Sequence, residues 1–450
     1  GLSLDAERPW LSLIPVALLT YGVAVQVHRL RRQSSSGSGE LPLPDGESSA
    51  VLDFTSVLGT VAMSSLAWHL LPSHLVPVAW LLLAIPLFEV GLLSGLERIR
   101  YQGYIVAALA CGWLLTSHVL GMGLYVERPW LNLIPAALLA YLAAVRLHRL
   151  GRHPSGERRL PELERSGVLD ISSVVGTVAS ASLVWYLLPT HLVPVGWLLL
   201  AIPLFETGLL SSLVKIRYQG YIVSALACGW LLTSHVLGMG LDVERPWLSL
   251  IPAALLTYGA AARLYRLGMR QSTDAREGWI TDRECSDILD VAAVAGTVAM
   301  ASLAWYVLPT PLVAVAWGLL GLLLIEVGYG LALSSLRVQG HVLVFSAFAR
   351  VFLANFIGLG ATAGISHRIL TVVPLIALYY YLNSKLLTEA AIGRTAEKEG
   401  DSGRRLDQRR SGPMIRSTET ALARIYLYLP AILAVVLIYY ELGPVAAVIG

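Results

Sequence analysis

Apolar positions in this chain come in blocks of about 20 residues, the length a helix needs to cross a hydrocarbon core of about 30 Å. Four consecutive blocks occupy residues 51–72, 74–94, 101–122 and 129–150. None alternates apolar and polar positions with a period of two, which excludes a porin-type barrel. Each therefore predicts a helix, because a spanning helix satisfies its own backbone. The same four-block pattern covers residues 168–267 and 288–387, and single blocks stand at 9–30 and 422–442. The expected fold is all-α: a polytopic helical membrane protein of about fourteen transmembrane helices.

The blocks are written as copies. Trp68-His69-Leu70-Leu71-Pro72 returns as Trp185-Tyr186-Leu187-Leu188-Pro189 and, more loosely, as Trp305-Tyr306-Val307-Leu308-Pro309. Glu7-Arg8-Pro9-Trp10 returns as Glu127-Arg128-Pro129-Trp130 and Glu244-Arg245-Pro246-Trp247. The period is about 120 residues, far above the 20–50 of solenoid repeats, so the repeating object is a small helical domain. The expected organisation is the end of a truncated repeat at 1–30, four-helix repeats at 51–150, 168–267 and 288–387, a cytoplasmic disordered linker at 388–420, and the start of a further repeat at 421–450. Residues 1–5 resemble 238–242 and residues 439–450 resemble 305–318, so the chain is expected to be a piece of a longer protein.

Charge orients this arrangement. Four helices per repeat return the chain to its starting side, which makes the repeats tandem and parallel. The turn between second and third helices carries Arg98 and Arg100, Lys215 and Arg217, and Arg337. The linkers carry Arg29, Arg31, Arg32, Arg146, Arg149, Arg152, Arg263, Arg266 and Arg270. The positive-inside rule then places the linkers in the cytoplasm and the Trp-x-Leu-Leu-Pro turns outside. Composition agrees: 56% of residues are hydrophobic and 14% charged, with mean hydropathy +0.65, against about 25% charged in soluble domains. The net charge of +3 gives no case for a nucleic-acid partner; membrane lipids and further membrane subunits are the expected partners. The polar linkers at 33–49, 151–166, 269–287 and 388–420 are too poor in apolar residues to fold alone. Cys111 and Cys228 lie in apolar helices and Cys285 in a linker, without metal spacing or a disulfide framework, so neither metal nor cofactor is expected.

Four sets of residues are candidates for chemistry. Glu89, Glu206 and Glu326 stand one per repeat inside the second helix, where a carboxylate costs about 2.5–3.5 kcal/mol and needs a partner or a purpose. Counting from the turn puts Arg100 or Gln102, Arg217 or Gln219, and Arg337 or Gln339 at matching depth, giving a clasp between second and third helices. The competing reading is a proton or cation site, with Pro86 and Pro203 breaking the helix one turn before the acid. The second set, His74, His118 and Glu127 with His191, His235 and Glu244, faces outward and serves as interfacial anchors or as a divalent-metal or pH-sensing group. The third is Arg350, in the place held by Trp113 and Trp230 in the other repeats, an intramembrane cation suited to an anionic head group. The fourth is packing: Ser56, Gly59, Ala62 and Ser65 recur as Ser173, Gly176, Ala179 and Ser182, and as Ala293, Gly296, Ala299 and Ser302, a smooth face for close helix approach. Asp53, Asp170 and Asp290 precede these stripes and read as N-caps. No Walker loop, HExxH or GxSxG stands in a plausible context, so no catalytic residue is assigned.

The stretch Leu336-Arg337-Val338-Gln339-Gly340, through Arg350-Val351-Phe352-Leu353-Ala354-Asn355 and His367-Arg368-Ile369-Leu370 to Tyr379-Tyr380-Tyr381-Leu382, resembles the many-helix bacterial membrane proteins of the DUF2339 family. The likeness implies an inner-membrane, multi-pass protein and supplies no catalytic residues. The expected function is accordingly non-enzymatic: transport, lipid handling, or scaffolding of an envelope complex. The alternative is a membrane-embedded enzyme acting on a lipid-linked substrate at the outer face through the His and Glu groups. A cavity reaching Glu89 or Glu206 would favour transport, one lined by His118 and His235 the enzyme, and neither the scaffold.

Overall fold

The computed structural model describes residues 10–34, 45–119, 129–152, 161–236, 245–271, 281–353, 367–398 and 413–449. These residues form fourteen α-helices and no strand. In chain order they are α1 (Trp10–Ser34), α2 (Asp45–Leu70), α3 (Val76–Ser94), α4 (Glu97–Leu114), α5 (Trp130–Arg152), α6 (Glu162–Leu187) and α7 (Val193–Leu210). Then follow α8 (Val214–Leu231), α9 (Trp247–Gln271), α10 (Asp282–Val307), α11 (Val313–Gly330), α12 (Ser334–Arg350), α13 (His367–Lys398) and α14 (Pro413–Ile449). Eleven are long and apolar enough to cross a membrane; α1, α4 and α8 fall outside that set. The shortfall in α4 and α8 has a local cause, because Glu97, Arg98 and Arg100, or Lys215 and Arg217, occupy the first turn of an 18-residue helix.

The chain divides into two compact units, residues 1–225 and 226–450. In the first, α1 packs along α2, α3 along α4 and α5 along α6, while α3 also touches α5. In the second, α9 packs along α10, α11 along α12 and α13 along α14, with α11 also touching α13. The first unit's interior is small and aliphatic: Leu81, Ala110, Leu114, Leu133 and Ala136 in one cluster, Leu52, Ala84, Leu87, Ile99 and Val106 in another. The second unit's larger core centres on Ile325, Val344, Leu375, Tyr379, Leu382 and Tyr426. Outward faces are apolar as well: Phe54 and Leu255 are each 69% exposed and Ile171 66%. Water would not tolerate such continuous faces in a soluble monomer, whereas lipid does.

Local sequence sets the turns. At the Trp-x-Leu-Leu-Pro landmarks the amide of Leu75 donates to the carbonyl of Pro72 at 2.8 Å, Leu192 to Pro189 at 2.8 Å and Leu312 to Pro309 at 2.9 Å. The opposite turn passes through the left-handed region at Gly95 (φ 70°), Ser212 (φ 58°) and Ala332 (φ 55°). Beyond it the paired helices approach closely: a Cβ at Gly91 would lie 2.6 Å from the Arg100 amide nitrogen, and one at Gly208 would lie 2.7 Å from that of Arg217. The small-residue stripe also works as expected. A Cβ at Gly59 would meet Tyr21, at Gly176 Tyr141 and at Gly296 Tyr258, so the stripe's partner is the helix before it in sequence.

Several sequence expectations are corrected here. Asp53 and Asp170 lie inside helices and form ion pairs with Arg98 and Lys215, joining α2 to α4 and α6 to α8; Asp290 lies inside α10. The hydroxyl oxygen that caps α10 belongs to Thr281, which accepts from the Glu284 amide at 3.2 Å. Pro86 and Pro203 sit within continuous α3 and α7, so no break precedes the acids. Cys285 is buried in α10 rather than in a linker. The 388–420 segment is helical at both ends, to Lys398 in α13 and from Pro413 in α14, and its remainder lies outside the described residues.

Candidate functional site

The polar residues of the apolar helices form ties between helices, and α4, α8 and α12 supply the central group. Gln102 of α4 accepts from the Thr60 hydroxyl at 2.9 Å and donates to Ser56 Oγ at 2.8 Å, both on α2. Gln219 of α8 repeats this with Thr177 at 2.7 Å and Ser173 at 2.8 Å on α6. Gln339 of α12 accepts from Thr297 at 2.7 Å, but Ala293 replaces the serine, and its amide turns to Ser335 at 3.1 Å. A tyrosine from the preceding helix extends each tie: Tyr21 to Thr60 at 3.2 Å, Tyr141 to Thr177 at 3.2 Å and Tyr258 to Thr297 at 3.0 Å. Three helices are thereby joined through one buried threonine hydroxyl.

Glu89 and Glu326 do not clasp the residues expected. Glu89 of α3 is bound by Arg146 of α5, with Nε donating at 3.0 Å and a second guanidinium nitrogen at 3.4 Å, and not by Arg100 or Gln102. Glu326 of α11 takes Lys385 as its ion pair and accepts from the Tyr381 hydroxyl at 2.8 Å, both on α13, and not from Arg337 or Gln339. The physical reason is the face each side chain occupies: Glu89 and Glu326 face the helix after the hairpin, α5 and α13, whereas Arg100 faces α6. Glu206 is half-buried in α7, Arg217 and Arg337 are buried, and Arg337 lies over the Tyr329 ring at 5.0 Å. Arg100 instead makes a bidentate pair with Glu164 of α6, at 2.7 and 2.8 Å, and the Tyr104 hydroxyl donates to the same carboxylate at 2.8 Å. Glu164 was not singled out from sequence, because it stands in a charged linker with no apolar run on its N-terminal side.

The matching position of Tyr104 in the third copy is His341, also missed. Its Nδ1 lies 2.8 Å from the Tyr426 hydroxyl on α14, while Tyr379 donates to the Val344 carbonyl at 2.9 Å. His341 is 7% exposed, Tyr379 and Tyr426 are fully buried, and the two tyrosine rings stack at 6.0 Å.

At the other end of the helices, tryptophans converge. Trp68, Trp80 and Trp113 form a triangle with centroid distances of 6.2, 4.9 and 6.3 Å. Trp80, Trp197 and Trp317 anchor their rings by donating to the carbonyls of Ser64, Ala181 and Ala301 at 3.0, 3.0 and 2.9 Å. In the third copy, Trp305 and Trp317 stack at 5.8 Å, and Arg350 takes the place of the third ring. Its guanidinium carbon lies 3.8 Å from the Trp305 centroid and 5.6 Å from that of Trp317. Such a contact returns about 2 kcal/mol when desolvated. Stacking covers one face of the guanidinium and leaves its in-plane donors free of ring contact. The Nε of Arg350 is buried without a hydrogen-bond partner.

The expected outer-face cluster is only partly described. His74 and His191 are half-buried in the turns before α3 and α7. His118 and His235 lie in π-helical turns, Leu115–Val119 and Leu232–Val236, with side chains outside the described set, and Glu127 and Glu244 lie outside the described residues. Among the described residues no group of His, Cys, Asp and Glu is placed to hold a metal. Cavities lie between helices. One of about 780 Å³ separates α1, α2 and α3 and is lined by residues such as Tyr21, Leu52, Leu83 and Leu87, with Arg29. One of about 400 Å³ lies beside Thr60, Trp68, Trp80 and Gln102, and one of about 240 Å³ beside Leu250, Thr257 and Ser302. None of these three is lined by Glu89, Glu206, His74 or His191. No protein-family model, curated protein or solved structure matches the chain.

Proposed function

We propose that the chain is a non-enzymatic, multi-pass protein of the bacterial inner membrane that works as a lipid-embedded scaffold for further membrane subunits. In this reading its helices form tandem, parallel four-helix repeats of the DUF2339 type, with the polar linkers cytoplasmic and the Trp-x-Leu-Leu-Pro turns outside. The observation that carries the scaffold reading is the fate of the intramembrane polar groups. Glu89 is held by Arg146, Glu326 by Lys385 and Tyr381, and Gln102 and Gln219 by threonine and serine, each on a neighbouring helix. Transport by these acids would need them at a cavity, and the cavities above do not reach Glu89 or Glu206.

The test is flux in proteoliposomes under an imposed pH gradient, for the native chain and a Glu89→Gln, Glu206→Gln, Glu326→Gln triple variant. The scaffold reading expects native flux no greater than that of protein-free vesicles, and no change in the variant. A pH-dependent native flux that disappears in a folded triple variant would replace it with a transporter.

A further inference from the structure

We propose that Arg350, seated on Trp305 and Trp317, binds the phosphate group of an anionic phospholipid at that end of α12. The inference rests on the chain being embedded in a membrane and not on its scaffold role.

Depth is the first argument. The apolar span containing Arg350 runs Ser334–Leu353. Arg350 lies against Trp305 and Trp317, so it sits at the level where α10 ends and α11 begins. Trp305 lies near the end of α10 and Trp317 near the start of α11, so three helix ends meet at this point. Indole rings favour the same interfacial level.

Unmet bonding is the second. A guanidinium has five N–H donors in one plane, and ring stacking occupies a face of that plane without using them. The Nε is buried and unpartnered, and no acid among the described residues forms an ion pair with Arg350. A phosphate approaching in plane takes the two terminal nitrogens with two parallel hydrogen bonds. The bilayer supplies that group at this depth.

The other copies supply the third argument. Trp113 fills the corresponding place against Trp68 and Trp80, so an indole suffices to complete the packing. The cation in the third copy is therefore an addition to a cluster that packs without it. The second unit repeats the pairing of a guanidinium with a ring: Arg368, at the start of α13, lies 4.9 Å from the Tyr440 centroid. Tyr379 of α13 donates to the Val344 carbonyl and so ties α13 to α12.

The experiment uses the full chain in mild detergent, with phosphatidylglycerol and phosphatidylcholine of matched acyl chains added in competition and bound lipid read by native mass spectrometry. Native protein should retain phosphatidylglycerol in preference, and Arg350→Trp, which installs the side chain of the other two copies, should lose that preference by about tenfold. Arg350→Lys should fall between them, since it keeps the charge and loses the fork. Trp113→Arg should create a second preference on Trp68 and Trp80. Equal retention of both lipids by native protein, or an unchanged preference in Arg350→Trp, overturns the proposal. Displacement of the lipid by inorganic phosphate at equal concentration would assign the site to a free anion and overturn the lipid assignment. Resistance of the native chain to carbonate extraction from membranes checks the embedding separately, so failure of lipid selectivity is not confused with failure of the membrane reading.

Discussion

Removal of one partner from the Arg100–Glu164 pair should damage the first unit more than loss of any other single ion pair described. Arg100 is 7% exposed and Glu164 16%, and the bond is bidentate with Tyr104 as a third donor. Truncating either side strands the other charge in an apolar surrounding, which costs about 3–5 kcal/mol in buried pairs. The partial exposure of Glu164 places the expectation near 3 kcal/mol for Arg100→Leu and for Glu164→Leu. The double variant removes both charges together, so its loss should fall well below the roughly 6 kcal/mol of independent sites. The assay is equilibrium unfolding in mixed SDS micelles, followed by tryptophan fluorescence, over the whole double-mutant cycle. Losses that add within about 0.5 kcal/mol would refute the pair. A parallel cycle between Arg100 and Glu89 should show no coupling, because Glu89 is engaged by the exposed Arg146. Coupling there would restore the hairpin clasp that the geometry rejects.

Two further outcomes follow from the backbone and from charge placement, beside the flux and lipid tests given above. Gly91→Ala and Gly208→Ala should each cost about 1–3 kcal/mol by forcing paired helices apart, because the new Cβ would meet main-chain atoms at 2.6 and 2.7 Å; Gly112→Ala and Gly229→Ala, with nothing within 4 Å, are the controls that should be neutral or favourable in the same unfolding assay. Reporters inserted at 33–49, 151–166 and 388–420 should all report the cytoplasm and cysteine probes at Ser73 and Thr190 should label from outside, and a linker found outside would dismantle the four-helix repeat.

Helix positions were legible because a block of about 20 apolar residues has few alternatives in a chain this hydrophobic. The close approach along Gly59, Gly176 and Gly296 was legible for a similar reason, since small residues at every third position have one geometric consequence. Pairing of the polar groups was not. Depth along a helix can be counted from sequence, but the face a side chain occupies relative to two or three neighbours cannot. Arg100 and Glu89 share a depth and yet turn to different helices. Asp53 and Asp170 misled for a related reason: the helices start earlier than the apolar pattern, so acids read as caps lie about two turns inside and meet Arg98 and Lys215. The place of Arg350 was visible as a departure from Trp113 and Trp230, whereas its seat on Trp305 required three helix ends to be brought together.

The polar ties also bear on what the repeated sequence means. Within the first unit Tyr21 belongs to the helix before the first copy and bonds Thr60 inside it; Tyr141 of the first copy bonds Thr177 of the second; Arg100 and Tyr104 of the first copy hold Glu164 at the start of α6, just ahead of the second. In the second unit, His341 of the third copy reaches Tyr426 of the helix that follows it. Ties of this kind cross the boundary of the sequence copy at each step, as do the helix pairs α1–α2 and α5–α6. A copy cut out at its sequence boundaries would therefore lose the Tyr21 bond of Thr60 and the partners of Arg100 and Tyr141 together. Apolar contact alone gives helices in lipid little reason to prefer one neighbour, because lipid tails compete equally for the same faces. Directional bonds from Gln102, Thr60 and Tyr21 remove that ambiguity by making one neighbour able to satisfy the buried groups. Copies with nearly identical apolar faces need such marks more than unlike helices do, which accounts for polar residues at matching depths in a chain otherwise built to dissolve in lipid.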